Sequence, residues 1–189
     1  MSSATALEIP GYLAGTWDID PAHTDVGFVV RHMVVTKVRG RFDQVKGEFT
    51  TAENPLESSV DIAIDLTSVS TNNKQRDDHL RSPDFFEVET HPEMTYHATG
   101  ARKDGDRFVL DGELTLKGVT RIVPLTVELN GFTSDPWGGT RAGFSATAHI
   151  NRKDFNVNFD GAQNGVAVVA DKIDIHIEVE AVLRKPANA

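Results

Sequence analysis

Residues 173–181 read Ile-Asp-Ile-His-Ile-Glu-Val-Glu-Ala. Apolar and polar side chains alternate at every step, a period of two that fits a β-strand with one wet face. The pattern recurs upstream. Val26, Phe28, Val30 and His32 oppose Asp25, Gly27, Val29 and Arg31, and Val60, Ile62, Ile64 and Leu66 oppose Ser59, Asp61, Ala63 and Asp65. Further strands are expected over Met94–Ala101, Phe108–Leu116, Ile122–Leu129 and Ala142–Ile150. They are separated by turn chemistry such as Lys103-Asp104-Gly105-Asp106, Lys117-Gly118 and Pro136-Trp137-Gly138-Gly139. Connections this short build antiparallel meanders. Pro124 interrupts one run and predicts an edge or a bulge there, whereas Gly27, Gly112 and Gly143 suit bends. Eight or more one-faced strands must stack as a sandwich or close on themselves, and alternation does not choose between the two.

With 189 residues, 39% of them hydrophobic, the chain can bury one sizeable core, and a single domain is expected. The 28 acidic and 19 basic residues give a net charge of -9, spread along the chain. That balance argues against a nucleic-acid partner, whose phosphates need a basic face, and against electrostatic docking on anionic lipid. With no cysteine, disulfides, thiol nucleophiles and thiolate metal sites are excluded. No run is long and apolar enough for a transmembrane helix. Met1 to Gly15 has no basic start followed by an apolar run, and Pro10-Gly11 breaks what apolar character it has. The expectation is a soluble, cytoplasmic protein; a periplasmic or secreted one is the alternative if a leader precedes these residues.

One stretch departs from the alternation. Residues 74–86 read Lys-Gln-Arg-Asp-Asp-His-Leu-Arg-Ser-Pro-Asp-Phe-Phe, a polar helix-former ending in two aromatics. Asn72 or Asn73 is positioned to cap its start, and Ser82-Pro83 to end it. Arg76 and Leu80 share a helical face, as do Asp77 and Arg81, which are expected to pair. Asp84 would cap a further turn carrying Phe85 and Phe86. Either this is a surface helix stapling the end of a barrel, or Phe85 and Phe86 line the mouth of a cavity while the arginines and His79 meet a polar ligand end. Phe155 and Phe159 raise the same choice between anchoring their loop and closing an end.

Seven histidines form no His-Glu-x-x-His motif or tight ligand pair. No nucleophile elbow or phosphate loop is present. No metal, cofactor or catalytic residue is therefore expected.

The blocks Trp17-Asp18-Ile19-Asp20-Pro21-Ala22-His23-Thr24, Leu66-Thr67-Ser68-Val69-Ser70-Thr71-Asn72 followed by Arg76 to Phe86, Gly112-Glu113-Leu114-Thr115-Leu116-Lys117-Gly118 and Lys153-Asp154-Phe155-Asn156 carry a resemblance in their order and combination. Over roughly residues 16–184 the chain resembles the YceI-like, lipocalin-like family of bacterial isoprenoid-binding proteins. The resemblance implies an all-β fold: an extended antiparallel lipocalin-like β-barrel with one short helix and an apolar internal tunnel. It places an extension at residues 1–15, the barrel at 16–184 and a tail at 185–189. It also implies non-enzymatic binding, carriage or sequestration of a polyisoprenoid, polyprenyl or quinone-type, and many such proteins are exported. The alternating apolar face then supplies the tunnel lining: Phe28, Val30, Val60, Ile62, Ile64, Leu114, Leu116, Phe144, Ile175 and Ile177, with Phe42, Phe85 and Phe86 near an end. His32, Arg76, His79 and Arg81 are the candidates for a lipid head. The alternatives are an enzyme acting on that head through His32 or His79, and a packed module with no ligand. Edge strands offer a route to a homodimer.

Overall fold

In the computed structural model, which describes residues 9–163 and 165–185, the alternating runs are strands. In chain order they begin with β1 (Gly15–Ile19), β2 (Asp25–His32), β3 (Thr36–Phe42), β4 (Val45–Thr51) and β5 (Ser59–Asp65). A two-residue β6 (Val69–Ser70) precedes the α-helix α1 (Lys74–Arg81). Next come β7 (Glu93–Thr99), β8 (Arg102–Asp104), β9 (Arg107–Leu116), β10 (Val119–Ser134) and β11 (Thr140–Asn151). The short hairpin of β12 (Ala162–Gln163) and β13 (Val166–Ala167) leads into the long β14 (Val169–Leu183). Met1 to Glu8 of the expected extension and Pro186 to Ala189 of the expected tail lie outside the described residues.

The choice between sandwich and barrel is made by β14. Its Ala181–Leu183 end pairs with β1 and its Val169–Glu178 portion with β2, so one edge of one long strand serves two partners. The order β1-β4-β5-β7-β9-β10-β11-β14 returns to β1 and closes an eight-stranded antiparallel barrel. From β2 the sheet continues through β3 to β6 as a side arm, and α1 follows β6.

At Pro124 the missing N–H is accommodated by an edge: Pro124 faces Asp111 of β9, whereas pairing with β11 begins only at Thr126 opposite Thr147. The bulge lies elsewhere. Leu129 faces Phe144 and Gly131 faces Gly143, leaving Asn130 extra. One extra residue flips the alternation, which is why β10 turns Val123, Leu125, Val127 and Leu129 inward and then Phe132.

Two apolar clusters fill what the barrel does not leave open. Leu66, Val69 and Phe155 anchor the larger, and Trp17 with Phe49, Ala142 and Ala181 the smaller. The Trp17 indole stacks on Phe49 at 5.9 Å, and its N–H donates to the Thr51 hydroxyl at 2.8 Å. Close approach also explains a glycine. A Cβ at Gly40 would lie 2.2 Å from the Phe28 ring, which rests on the bare backbone there. Gly40→Ala is expected to cost about 1–3 kcal/mol by overpacking, a fall in melting temperature of several degrees by thermal unfolding, relieved in part by adding Phe28→Leu. Equal loss with and without Phe28→Leu would refute the contact.

The helix forms where expected, with two corrections. Asn73 is the cap, accepting from the Arg76 N–H at 3.0 Å, and Lys74 pairs with Asp78 one turn on. Asp77 does not pair with Arg81. It is buried and takes the Thr71 N–H at 2.8 Å and the Thr71 hydroxyl at 2.5 Å, so it ties the helix to the preceding loop. Arg81 meets Asp78 instead and donates to the carbonyls of Thr67 and Val69. Asp84 caps no turn; its carboxylate bonds the His79 ring at 2.7 Å. The chain then folds back, with the Phe86 N–H on the Leu80 carbonyl and the Val88 N–H on that of Arg81. Eight residues make a marginal helix in isolation; these bonds and the burial of Phe85 hold it in place.

Candidate functional site

The inward rows of the strands enclose a cavity of about 310 Å³, within the range of small-molecule sites. Along β10 its lining runs from Val123 to Phe132, a strand length of about 30 Å at the usual rise per residue. It is therefore elongated. Phe28 and Val30 come from β2, Phe42 from β3, Val60, Ile62 and Ile64 from β5, Leu114 and Leu116 from β9, Phe144 from β11 and Ile175 and Ile177 from β14. Phe85 and Phe86 also reach it.

At the helix end the aromatics form two linked sets. Phe28, Phe42 and Phe86 run in series, with centroids 5.6 and 5.8 Å apart. Phe85 packs on Phe159 at 5.0 Å, and the His79 ring stands edge-on to both. Phe155 is buried core that anchors its loop, while Phe159 packs on the helix segment and is not among the cavity-lining residues. At the other end Ile9 and Tyr12, within the expected N-terminal extension, line the cavity. The Tyr12 ring meets Phe132 at 5.8 Å, and its hydroxyl donates to the Ala52 carbonyl at 2.6 Å.

The head-group candidates are placed differently. His32, Arg76, His79 and Arg81 are not among the lining residues. Arg76 is spent on Thr71, donating to its hydroxyl at 2.7 Å and its carbonyl at 2.9 Å. His79 is held outside by Asp84 and the two phenylalanines, and His32 ends β2 opposite Thr36 and Val169. The charged side chain that does line the cavity is Arg152, 4% exposed. Its guanidinium donates to the carbonyls of Val157, Val169 and Ala170 and to the Asp171 carboxylate at 3.0 Å. Period reasoning passes over it because it lies in a 3₁₀ turn, where neither the strand nor the helix repeat applies.

The Tyr12, Thr24, Thr51 and Ser58 side chains of the lining are also hydrogen-bonded. The Tyr96 hydroxyl lies 3.0 and 2.8 Å from the Leu110 and Val123 carbonyls and accepts the Gly112 N–H at 3.1 Å. Burial pushes its phenol up to about 12, so it stays neutral. No histidine or carboxylate lines the cavity among the described residues. The interior offers an apolar chain a hydrocarbon-like environment.

One polar cluster lies beside the barrel wall. Asp20, His23 and Glu180 bring their ligand atoms within 4.8 Å of one another, but Arg141 donates to both carboxylates and supplies the positive charge they need. Hydrogen bonds from His23 first and Arg141 second hold the Asp20 carboxyl down at about 2, from an ordinary 3.8. A depressed carboxyl stabilises the fold above its unfolded value and loses that contribution as pH falls through its folded one. Arg141→Gln is expected to move the Asp20 titration upward, seen by NMR of its carboxyl carbon, and to start acid unfolding at a higher pH. An unmoved titration would remove Arg141 from the cause. His23, raised by Asp20 and then Glu180, has the opposite sign: its contribution is present below 6.5 and fades as pH rises through its folded value.

No helix among the described residues is long and apolar enough to cross a membrane. The YceI-like domain model matches residues 17–181. Protein YceI of Escherichia coli O157:H7 is 40% identical over 169 residues, 89% of this chain and 86% of that protein. A solved Campylobacter jejuni YCEI protein is 32% identical, with a TM-score of 0.71 over 88% of this chain and 96% of that one. A polyisoprenoid binding domain from Saccharophagus degradans shares the fold, with a TM-score of 0.69 over 89% of this chain and 98% of that one, at 18% identity. Closed barrel, short helix and matched sequence agree, and the chain belongs to the YceI-like family.

Proposed function

We propose that this protein binds, carries or sequesters the long apolar chain of an amphiphilic lipid, of the polyisoprenoid class, without transforming it. The observation that carries the reading is the elongated cavity, lined almost throughout by apolar side chains, with its Tyr96 hydroxyl and Arg152 guanidinium already hydrogen-bonded to backbone carbonyls. Each buried methylene contributes up to about 0.8 kcal/mol, so ten of them supply about 8 kcal/mol before ordering costs. Polar recognition is not needed for tight binding, and shape sets selectivity. The lining residues of β2, β5, β9, β11 and β14 with Phe42, Phe85 and Phe86 are the proposed contacts. The solved polyisoprenoid binding domain of the same fold is in keeping with this ligand class.

Native mass spectrometry and organic extraction of the purified protein provide the test. Co-purified or added polyprenol or quinone is expected to bind with one-to-one stoichiometry and to be recovered chemically unchanged. Protein that stays empty with both added lipids refutes the reading, and recovery of an altered head group refutes its non-enzymatic part.

A further inference from the structure

The geometry points to the β2–β3 hairpin as a membrane-docking finger, a basic strand pair with an apolar tip that seats on an anionic phospholipid bilayer. Three features that weaken the fold coincide there. First, Val34 and Val35 at the tip are 72% and 81% exposed. Second, the turn, closed by the Val35 N–H on the His32 carbonyl, holds Met33 at φ 50 and Val34 at φ 63. A branched side chain is disfavoured in that left-handed region, where hairpins use Asn or Gly. Third, Arg31 stands directly opposite Lys37, with Arg39 and Arg41 next along the same face of β3, and like charges paired across strands repel.

The local charge reverses that of the molecule. No acidic residue occurs between Asp25 and Asp43, while the chain as a whole carries -9. Arg41 has Asp43 as its partner; Arg31, Lys37 and Arg39 have no carboxylate partner among the described residues. Overall acidity argues against an anionic surface only when the charge is evenly spread, and here it is not. Part of β3 is an unpaired edge, since β6 meets it only at Arg41 and Phe42, and basic residues blunt such edges. Edge protection explains Lys37 and Arg39. It explains neither Arg31 nor a tip of exposed valines, which invites association. Basic residues around an apolar projection are instead the composition of segments that sit in a lipid interface.

The hairpin also adjoins the cavity. His32 pairs with Val169, the Met33 N–H donates to the Val168 carbonyl at 3.1 Å, and Val30 and Val169 both line the interior. Docking would place that end of the cavity on the lipid surface, where a chain can pass without crossing water. This purpose rests on the lipid-carrier reading; the docking itself does not.

Co-flotation with phosphatidylglycerol-containing and pure phosphatidylcholine vesicles tests it. The wild type is expected to float with the anionic vesicles and to be released by salt. Each basic residue near such a surface strengthens binding roughly fivefold, so Arg31→Ser with Lys37→Ser and Arg39→Ser should weaken it by about a hundredfold. Val34→Asn should weaken flotation and raise thermal stability, because Asn suits the turn; a purely structural tip would not give that split. Failure of the wild type to float, equal flotation of the variants, or indifference to phosphatidylglycerol overturns the proposal. So does a dimer in gel filtration that Val34→Asn breaks, which would assign the tip to a second copy. Polyprenol loading from detergent, read by native mass spectrometry, separates the two readings. Variants that load normally but do not float support docking, and wild type that floats but never loads refutes the carrier while docking stands.

Discussion

Replacing Ala146 by tryptophan is expected to abolish retention of a long-chain lipid while the barrel stays folded. Ala146 sits on β11 between Val127 of β10 and Ile177 of β14, and its small side chain lines the cavity in the midst of larger ones. An indole there projects into open space rather than into packed neighbours, so the overpacking cost is small, and filling a void can offset it. The ligand loses the room instead. Excluding four or five methylene equivalents at about 0.8 kcal/mol each removes about 3–4 kcal/mol, a loss of roughly a hundredfold to a thousandfold in affinity. Native mass spectrometry with added polyprenol reads the loss, and thermal unfolding checks the fold. Ala146→Val should have a much smaller effect. Undiminished lipid binding by a folded Trp variant would mean that the lipid sits elsewhere.

Arg152→Met is expected to destabilise the protein by about 3–5 kcal/mol, since it removes a buried guanidinium and strips the shared donor from one buried and two part-buried carbonyls at once. The carbonyls of Val157, Val169 and Ala170 all point at one guanidinium, which also meets Asp171. For a domain of this size each kcal/mol lowers the melting temperature by about 2–4 °C, so a fall of roughly 6–20 °C follows. Arg152→Lys keeps the charge and loses the fork. It should recover less than half of the difference, which separates a hydrogen-bonding role from a coulombic one. Full rescue by lysine, or a loss within 1 kcal/mol for methionine, would refute this account. The same bonds tie the loop after β11 to the start of β14 beside the cavity, so Arg152→Met should also speed ligand release.

Most of the cavity wall was legible as a face. Phe28, Val30, Ile62, Ile64, Leu114, Leu116, Phe144, Ile175 and Ile177 all lie on period-two rows, and a regular strand has to send such a row one way. Phe132 was not legible, because the bulge at Asn130 shifts the parity, and nothing local announces one extra residue. Ile9 and Tyr12 were passed over for want of any repeat. The polar expectations fared worst. Arg76, His79 and Arg81 share a segment with Phe85 and Phe86, but proximity in sequence says nothing about which acceptor a long side chain finds first. Thr71, Asp84 and the Thr67 and Val69 carbonyls took them.

Local chemistry in the chain was enough to establish strands with one apolar face, a helix capped at Asn72 or Asn73 and stopped by Ser82-Pro83, and the family to which these blocks belong. Those properties depend on neighbours a few residues apart, through backbone periodicity, capping and proline's missing donor. Closure of the barrel, the open space inside it and the burial of Arg152 were decided only in three dimensions. Each depends on partners far apart in the chain, such as Trp17 with Leu183 or Arg152 with Ala170. A period of two says which side of a strand is dry. Whether the dry sides meet or stand apart around a cavity depends on how many strands close the ring and on how the side chains fill it.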